Sequence, residues 1–161
     1  MYQVFLDKIL LPIAPESIVT TVNNQNETVN LINEGEVNII KQAGLTDISF
    51  DFLLPNQKYP FATYSAGFVS SWAILKQLES LKANKKPFQL IIVRLVGSNN
   101  FSVANIGGSF YTNITVTIED YSISESVEYG NDVMVSIQLK EYKPYGTKKY
   151  DANGNVVKVR N

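Results

Sequence analysis

Two stretches of the chain alternate apolar and polar residues with the period of two that a half-buried strand imposes. In Tyr111–Glu119, Ile114, Val116 and Ile118 fall on one face, and Thr115, Thr117 and Glu119 on the other. In Asp132–Tyr142, Val133, Val135, Ile137 and Leu139 alternate with Met134, Ser136, Gln138 and Lys140. Such strands cannot stand alone, because their apolar face must be covered by a second layer. Tyr121-Ser122-Ile123 continues or restarts the first strand, and Glu128-Tyr129-Gly130-Asn131-Asp132 supplies turn chemistry before the second. The Thr/Ser/Gln outer faces leave edges that a neighbouring chain can satisfy by strand addition.

The rest of the chain fits around this antiparallel unit. Thr46–Phe52 alternates, with Ile48, Phe50 and Phe52 on one face. Thr28–Ile32 and Val37–Lys41 flank Asn33-Glu34-Gly35-Glu36, the tightest hairpin signal present. Tyr2–Leu6 is a short strand, and Leu10–Pro15 is extended because each proline steers its predecessor out of the helical region. Phe88–Val96 is a nearly continuous apolar run, which predicts a strand buried on both faces. Only one segment has helical spacing: Phe68, Trp72, Leu75 and Leu78 recur at steps of 4, 3 and 3. That predicts a helix from Phe68 to about Lys82, packed through those four core side chains, with Ser65 as its N-cap and Pro87 forbidding continuation. The fold class is therefore mainly β with one α-helix (α+β), an antiparallel sandwich or barrel over residues 1–143. Residues 144–161 are polar and turn-prone, and read as a linker or arm leading toward a further module.

Composition removes most chemistries. A chain of 161 residues suits one domain of about 100–200 residues. It has no cysteine, which excludes disulfide scaffolds, zinc fingers, iron–sulfur sites and thiol nucleophiles, and leaves the chain indifferent to redox compartment. It has no histidine, which excludes the Ser-His-Asp constellation, HExxH metal sites and the usual general base near neutral pH. No phosphate-cradling GxxxxGK[ST] or GxGxxG occurs, no apolar run reaches membrane-spanning length, and the N-terminus lacks the regions of a signal peptide. A net charge of −1 gives no bulk drive toward nucleic acid or anionic membrane.

Charge is distributed in blocks: −5 over residues 1–57, +5 over 58–94, −4 over 95–143 and +3 over 144–161. Such blocks can neutralise one another within one fold or between neighbouring copies. Asp47 and Asp51 share a strand face, but without histidine or a further acid they do not make a metal site. A carboxylate hydrolase would use two of Glu119, Asp120, Glu125 and Glu128, yet a strand end and turn is where solvated acids normally sit. A glycan- or nucleic-acid-binding module would use Lys82, Lys85 and Lys86 with Phe88, or Tyr145, Lys148, Lys149 and Tyr150. The residues thus predict no catalytic, cofactor-binding or metal-binding position, and no cofactor.

Leu31-Ile32-Asn33-Glu34-Gly35-Glu36-Val37-Asn38-Ile39-Ile40-Lys41, followed by Gly44–Pro55, resembles the N-terminal region of the LysM-type baseplate protein of contractile phage tails. The same family occurs in phage-tail-like bacteriocins and PBSX-like defective prophages. Tyr59–Ala62, Asn84–Gln89, Glu119–Tyr121 and Glu141-Tyr142…Tyr145–Lys148 extend the resemblance over residues 2–150. It implies a tail-tube-like fold and a structural role joining tail tube, hub or spike, and wedges within a virion or tail-like particle assembled in the bacterial cytoplasm. Partners would be other tail proteins in a homo-hexameric ring, with no membrane and no specific nucleic acid. Members usually carry a LysM module after the linker, and this chain stops where one would begin, so the resemblance carries no expectation of glycan binding. The candidate interface comprises Lys82, Lys85 and Lys86 on one side and Glu119, Asp120, Glu125, Glu128 and Asp132 opposite. Tyr145, Lys148, Lys149 and Tyr150 lie on the arm.

Overall fold

A computed structural model describes residues 2–64, 67–94, 111–145, 149–150 and 156–157. In chain order the elements are β1 (Tyr2–Leu6), β2 (Ile9–Leu10), β3 (Ile18–Asn24), β4 (Glu27–Leu31), β5 (Gly35–Ile39), β6 (Ala43–Leu54), α1 (Ser71–Ala83), β7 (Phe88–Arg94), β8 (Tyr111–Glu125), β9 (Val133–Glu141), β10 (Lys149–Tyr150) and β11 (Val156–Val157). Seven strands form one sheet in the order β2-β1-β7-β8-β9-β6-β3, antiparallel at every pairing. The β-rich α+β expectation holds. The sheet is rolled rather than closed, since no ladder joins β1 or β2 to β3.

The two alternating segments form the middle of the sheet. Val133, Val135, Ile137 and Leu139 of β9 are all buried, with Ile48, Phe50, Phe52 and Leu54 of β6 beside them. Val4, Leu6, Leu90, Ile92 and Val116 complete the same core from the other half of the sheet. The rolled ends meet where Tyr2 donates its hydroxyl to the Pro15 carbonyl. Between them lies a cavity of about 510 Å³, lined by Tyr2, Ile18, Ile48, Ile92 and Ile114 among others.

Several expectations change. β9 is paired along both sides and presents no edge, whereas β8 pairs with β7 through Tyr111–Val116 and with β9 through Val116–Glu125, so each half of it is paired on one side. β7 is buried on one face only, through Phe88, Leu90 and Ile92, because a single rolled layer has one interior. Leu95 and Val96, expected to continue that strand, lie outside the described residues.

The helix differs most. It starts at Ser71, and its buried side is Ser71, Ile74 and Leu78, with Leu75 and Leu81 half-buried. Trp72 is 68% exposed, and Phe68 is 41% exposed in the segment before the helix. Neither is core. The segment is apolar at 72, 74, 75, 78 and 81, so two stripes sharing Leu75 and Leu78 compete, and the one with less bulk is inside. Ser65 lies outside the described residues, and the N-cap position is Ser70, whose side chain makes no cap bond. Instead Asn56 Oδ1 accepts from the Ser71 N–H at 3.3 Å and from its Oγ at 2.5 Å. The orphan donor of the first turn is thus satisfied from 15 residues away.

A β-bulge in β8 positions α1. Ile118 pairs with Leu139 and Asp120 with Gln138, leaving Glu119 as the extra residue. The phase shift puts Tyr121 and Ile123 opposite Ile137 and Val135, on the inner face where the helix packs. β4 and β5 form a separate two-stranded ribbon inserted between β3 and β6. Asn33 (φ 75°) and Gly35 (φ 79°) make its turn in the left-handed region.

Candidate assembly surface

One predicted lysine, Lys82, is a neighbour of two of the predicted acids, Glu119 and Asp120, rather than opposite them. Lys82 Nζ lies 3.2 Å from the Glu119 carbonyl oxygen, 3.8 Å from Asp120 Oδ1 and 5.3 Å from the centroid of the Tyr121 ring. The bulge pushes that carbonyl and carboxylate outward, so the helix C-terminal lysine ties α1 to β8 within one chain. Exposed pairs of this kind are worth little in stability, but they orient the helix end. Lys85 and Lys86 are exposed beyond the helix, Lys85 with φ 51°.

The acids divide. Glu125 ends β8, and Glu128 sits in a 3₁₀ turn, Val127–Tyr129, where its N–H donates to Ser126 Oγ at 3.3 Å. Asp132 is only 5% exposed and is not an interface residue. It accepts from the Asn56 N–H at 2.8 Å and from the Tyr59 hydroxyl at 2.6 Å. The hydrogen bond to this carboxylate raises the Tyr59 phenol above its ordinary value, with the bond from Gln57 opposing. At the opposite end of the sheet, the Thr46 N–H donates to Glu141 Oε2 at 3.0 Å and holds that carboxyl below the usual range, burial opposing. Among the described residues no three acids converge, and Asp47 faces Lys140 at 3.4 Å.

Tyr145 is exposed. Lys149 and Tyr150 form a two-residue ladder with Val157 and Val156, and Lys148 lies outside the described residues. With Lys82 engaged on β8, the first basic–aromatic cluster is not assembled as a strand-binding platform.

The structure adds two surfaces that sequence reasoning missed. The first is a groove of about 390 Å³ between α1 and β8, lined by Trp72, Leu75, Lys76, Glu79, Tyr121 and Ile123. Lys76 Nζ sits 5.2 Å from the Trp72 ring centroid at its rim. Next to the helix start, Tyr59 and Phe61 stack at 5.0 Å, and Tyr64 meets Phe68 edge-on at 5.8 Å. The second is the β4–β5 ribbon. Its register puts Val29, Leu31, Val37 and Ile39 on one face, with Glu27 at its root, and Thr28, Asn30, Glu36 and Asn38 on the other. That alternation was readable in the sequence; that the ribbon's apolar face stays exposed among the described residues was not. Beside the ribbon, edge strand β3 leaves Val19 and Val22 exposed and has neither charge nor proline to guard its edge.

Among the described residues, an apolar groove, an exposed ribbon and an unguarded edge are surfaces of the kind that protein–protein contacts cover. No family model matches the sequence. The uncharacterized protein YqbP of Bacillus subtilis (strain 168) is 31% identical over 154 residues, covering 96% of this chain and 63% of that relative's length. Among solved structures, the sheath/tube terminator of an extracellular contractile injection system, PVC, in its extended state, superposes with a TM-score of 0.50. The match covers 88% of this chain and 89% of the terminator at 11% identity, so what the two share is the fold of a contractile-tail component.

Proposed function

We propose that the protein is a non-enzymatic structural component of a contractile phage tail or phage-tail-like particle. In this role it acts as a baseplate adaptor between the tube and the hub, spike and wedge proteins. The observation that carries this reading is the end-to-end match in fold to a tube terminator. It is supported by the resemblance of residues 2–150 to the tail baseplate family and by the exposed ribbon, groove and edge. The chain works as a homo-hexameric ring at the tube end, assembled in the bacterial cytoplasm. Lys85 and Lys86, exposed and set in a block (58–94) whose six basic residues face one acid, Glu79, meet an acidic partner.

The test is a charge reversal. Lys85→Glu with Lys86→Glu should leave the domain folded, by circular dichroism and thermal unfolding, and block particle assembly in the producing cell. Intact particles from that double variant would remove the basic surface from the reading.

A further inference from the structure

We infer that the β4–β5 ribbon of one copy of the chain seats its apolar face on the Trp72–Tyr121–Ile123 groove of a second copy. This deepens the assembly reading and rests on it. The ribbon is amphipathic, yet Leu31, Val37 and Ile39 remain substantially exposed and Ile32 at the tip is 92% exposed. An isolated two-stranded ribbon is marginally stable in water, so an apolar face of this size is covered in the working state. The groove has the complementary character: a floor of Tyr121 and Ile123 and a wall of Trp72 and Leu75, with Trp72 68% exposed. A concave patch walled by an accessible tryptophan is the kind of place where an interface finds an energetic anchor.

The ribbon does not fill the groove of its own chain, because both are exposed in the same molecule. It leaves the body beyond the Asn24–Ala43 pair, whereas Ile123 is level with Val135 and Phe52. That is nine residues further along β6, or about 30 Å at strand rise. Charge also favours a second copy. The turn carries Glu34 and Glu36, while Lys41 is paired with Glu27 at the root. The groove carries Lys76 at its rim beside one acid, Glu79, and the helix that bears them has Lys82 in its last turn and is followed by Lys85 and Lys86, so the basic side chains outnumber the acid. Ribbon and groove are different patches, so the contact is heterologous, and repeating it generates a ring if the rotation closes.

The chain contains no cysteine, so each introduced thiol is the sole one. Ile32→Cys protein, tagged to change its size, is mixed with Ile123→Cys protein and oxidised briefly. The same reaction with Val127→Cys, 98% exposed and outside the groove, is the reference. The 32–123 heterodimer should form several-fold faster than the 32–127 heterodimer. Lys76→Glu in the Ile123→Cys protein should remove the excess, and Glu34→Lys with Glu36→Lys in the Ile32→Cys protein should restore it. Brief oxidation traps encounters, so no stable ring is needed. Equal rates at the two positions, or an excess insensitive to the charges, overturns the contact. Co-purification of the wild-type chain with tail particles reads the assembly role separately and can stand while the contact fails.

Discussion

Tyr59 donates its hydroxyl to Asp132 across a sequence separation of 73 residues, at 2.6 Å. The bond joins the segment leaving β6 to the turn entering β9. Asn56 completes the clasp: its N–H reaches Asp132 Oδ1, its amide reaches the Asn131 carbonyl, and its Oδ1 holds the first turn of α1. Three elements distant in sequence are locked at one point.

Asp132→Ala therefore leaves two donors without acceptors and should destabilise the domain by about 1–3 kcal/mol in urea unfolding. Tyr59→Phe removes only one of the two bonds and should cost less. The Tyr59 phenol is raised, so its bond stabilises fully below the ordinary tyrosine value of 10.0 and is lost as pH rises through the folded value. The difference in melting temperature between wild type and Tyr59→Phe should narrow in strong alkali.

Glu141 behaves in the opposite sense. Its carboxyl is lowered, first by the Thr46 N–H and also by Lys143 3.5 Å away. The stabilisation is present above the ordinary value of 4.5 and is lost as pH falls through the lower folded value. Glu141→Gln should lower the melting temperature at neutral pH and flatten the acid limb of the profile.

In α1, Leu78→Ala should cost about 2–5 kcal/mol, because Leu78 is wholly buried. Trp72→Ala should change stability by no more than about 0.5 kcal/mol, as befits an exposed position. Equal losses for the two would restore Trp72 to the core.

Lys85 adopts φ 51° just past the helix, a conformation that glycine takes without strain. Lys85→Gly should raise stability by about 0.5–1 kcal/mol. A loss of stability would mean that the lysine side chain makes a contact outweighing the backbone strain.

How much of this was legible in the sequence follows from which interactions are local. The alternation of Val133, Val135, Ile137 and Leu139, and of Ile48, Phe50 and Phe52, reports burial directly, and all seven are buried. The hairpin at Asn33–Gly35 is legible because left-handed residues reveal themselves by type. The helix stripe was misread, because choosing between Trp72 and Ile74 depends on where β8 lies. That position is set by a one-residue bulge at Glu119 with no compositional mark. The cap from Asn56 and the burial of Asp132 are likewise products of long-range approach. Sheet order decided the rest: β9 looks like an edge in isolation and is paired along both sides, while β8 divides its length between β7 and β9.

The most direct test of the structural role is a cryo-EM reconstruction of the particle purified from cells producing the tagged chain. The predicted result is a hexameric ring at the tube end, each unit fitted by the rolled seven-stranded sheet, with α1 and the β4–β5 ribbon in contact with neighbours. Complete, contractile particles in which the chain is absent from both the density and the protein content would contradict it.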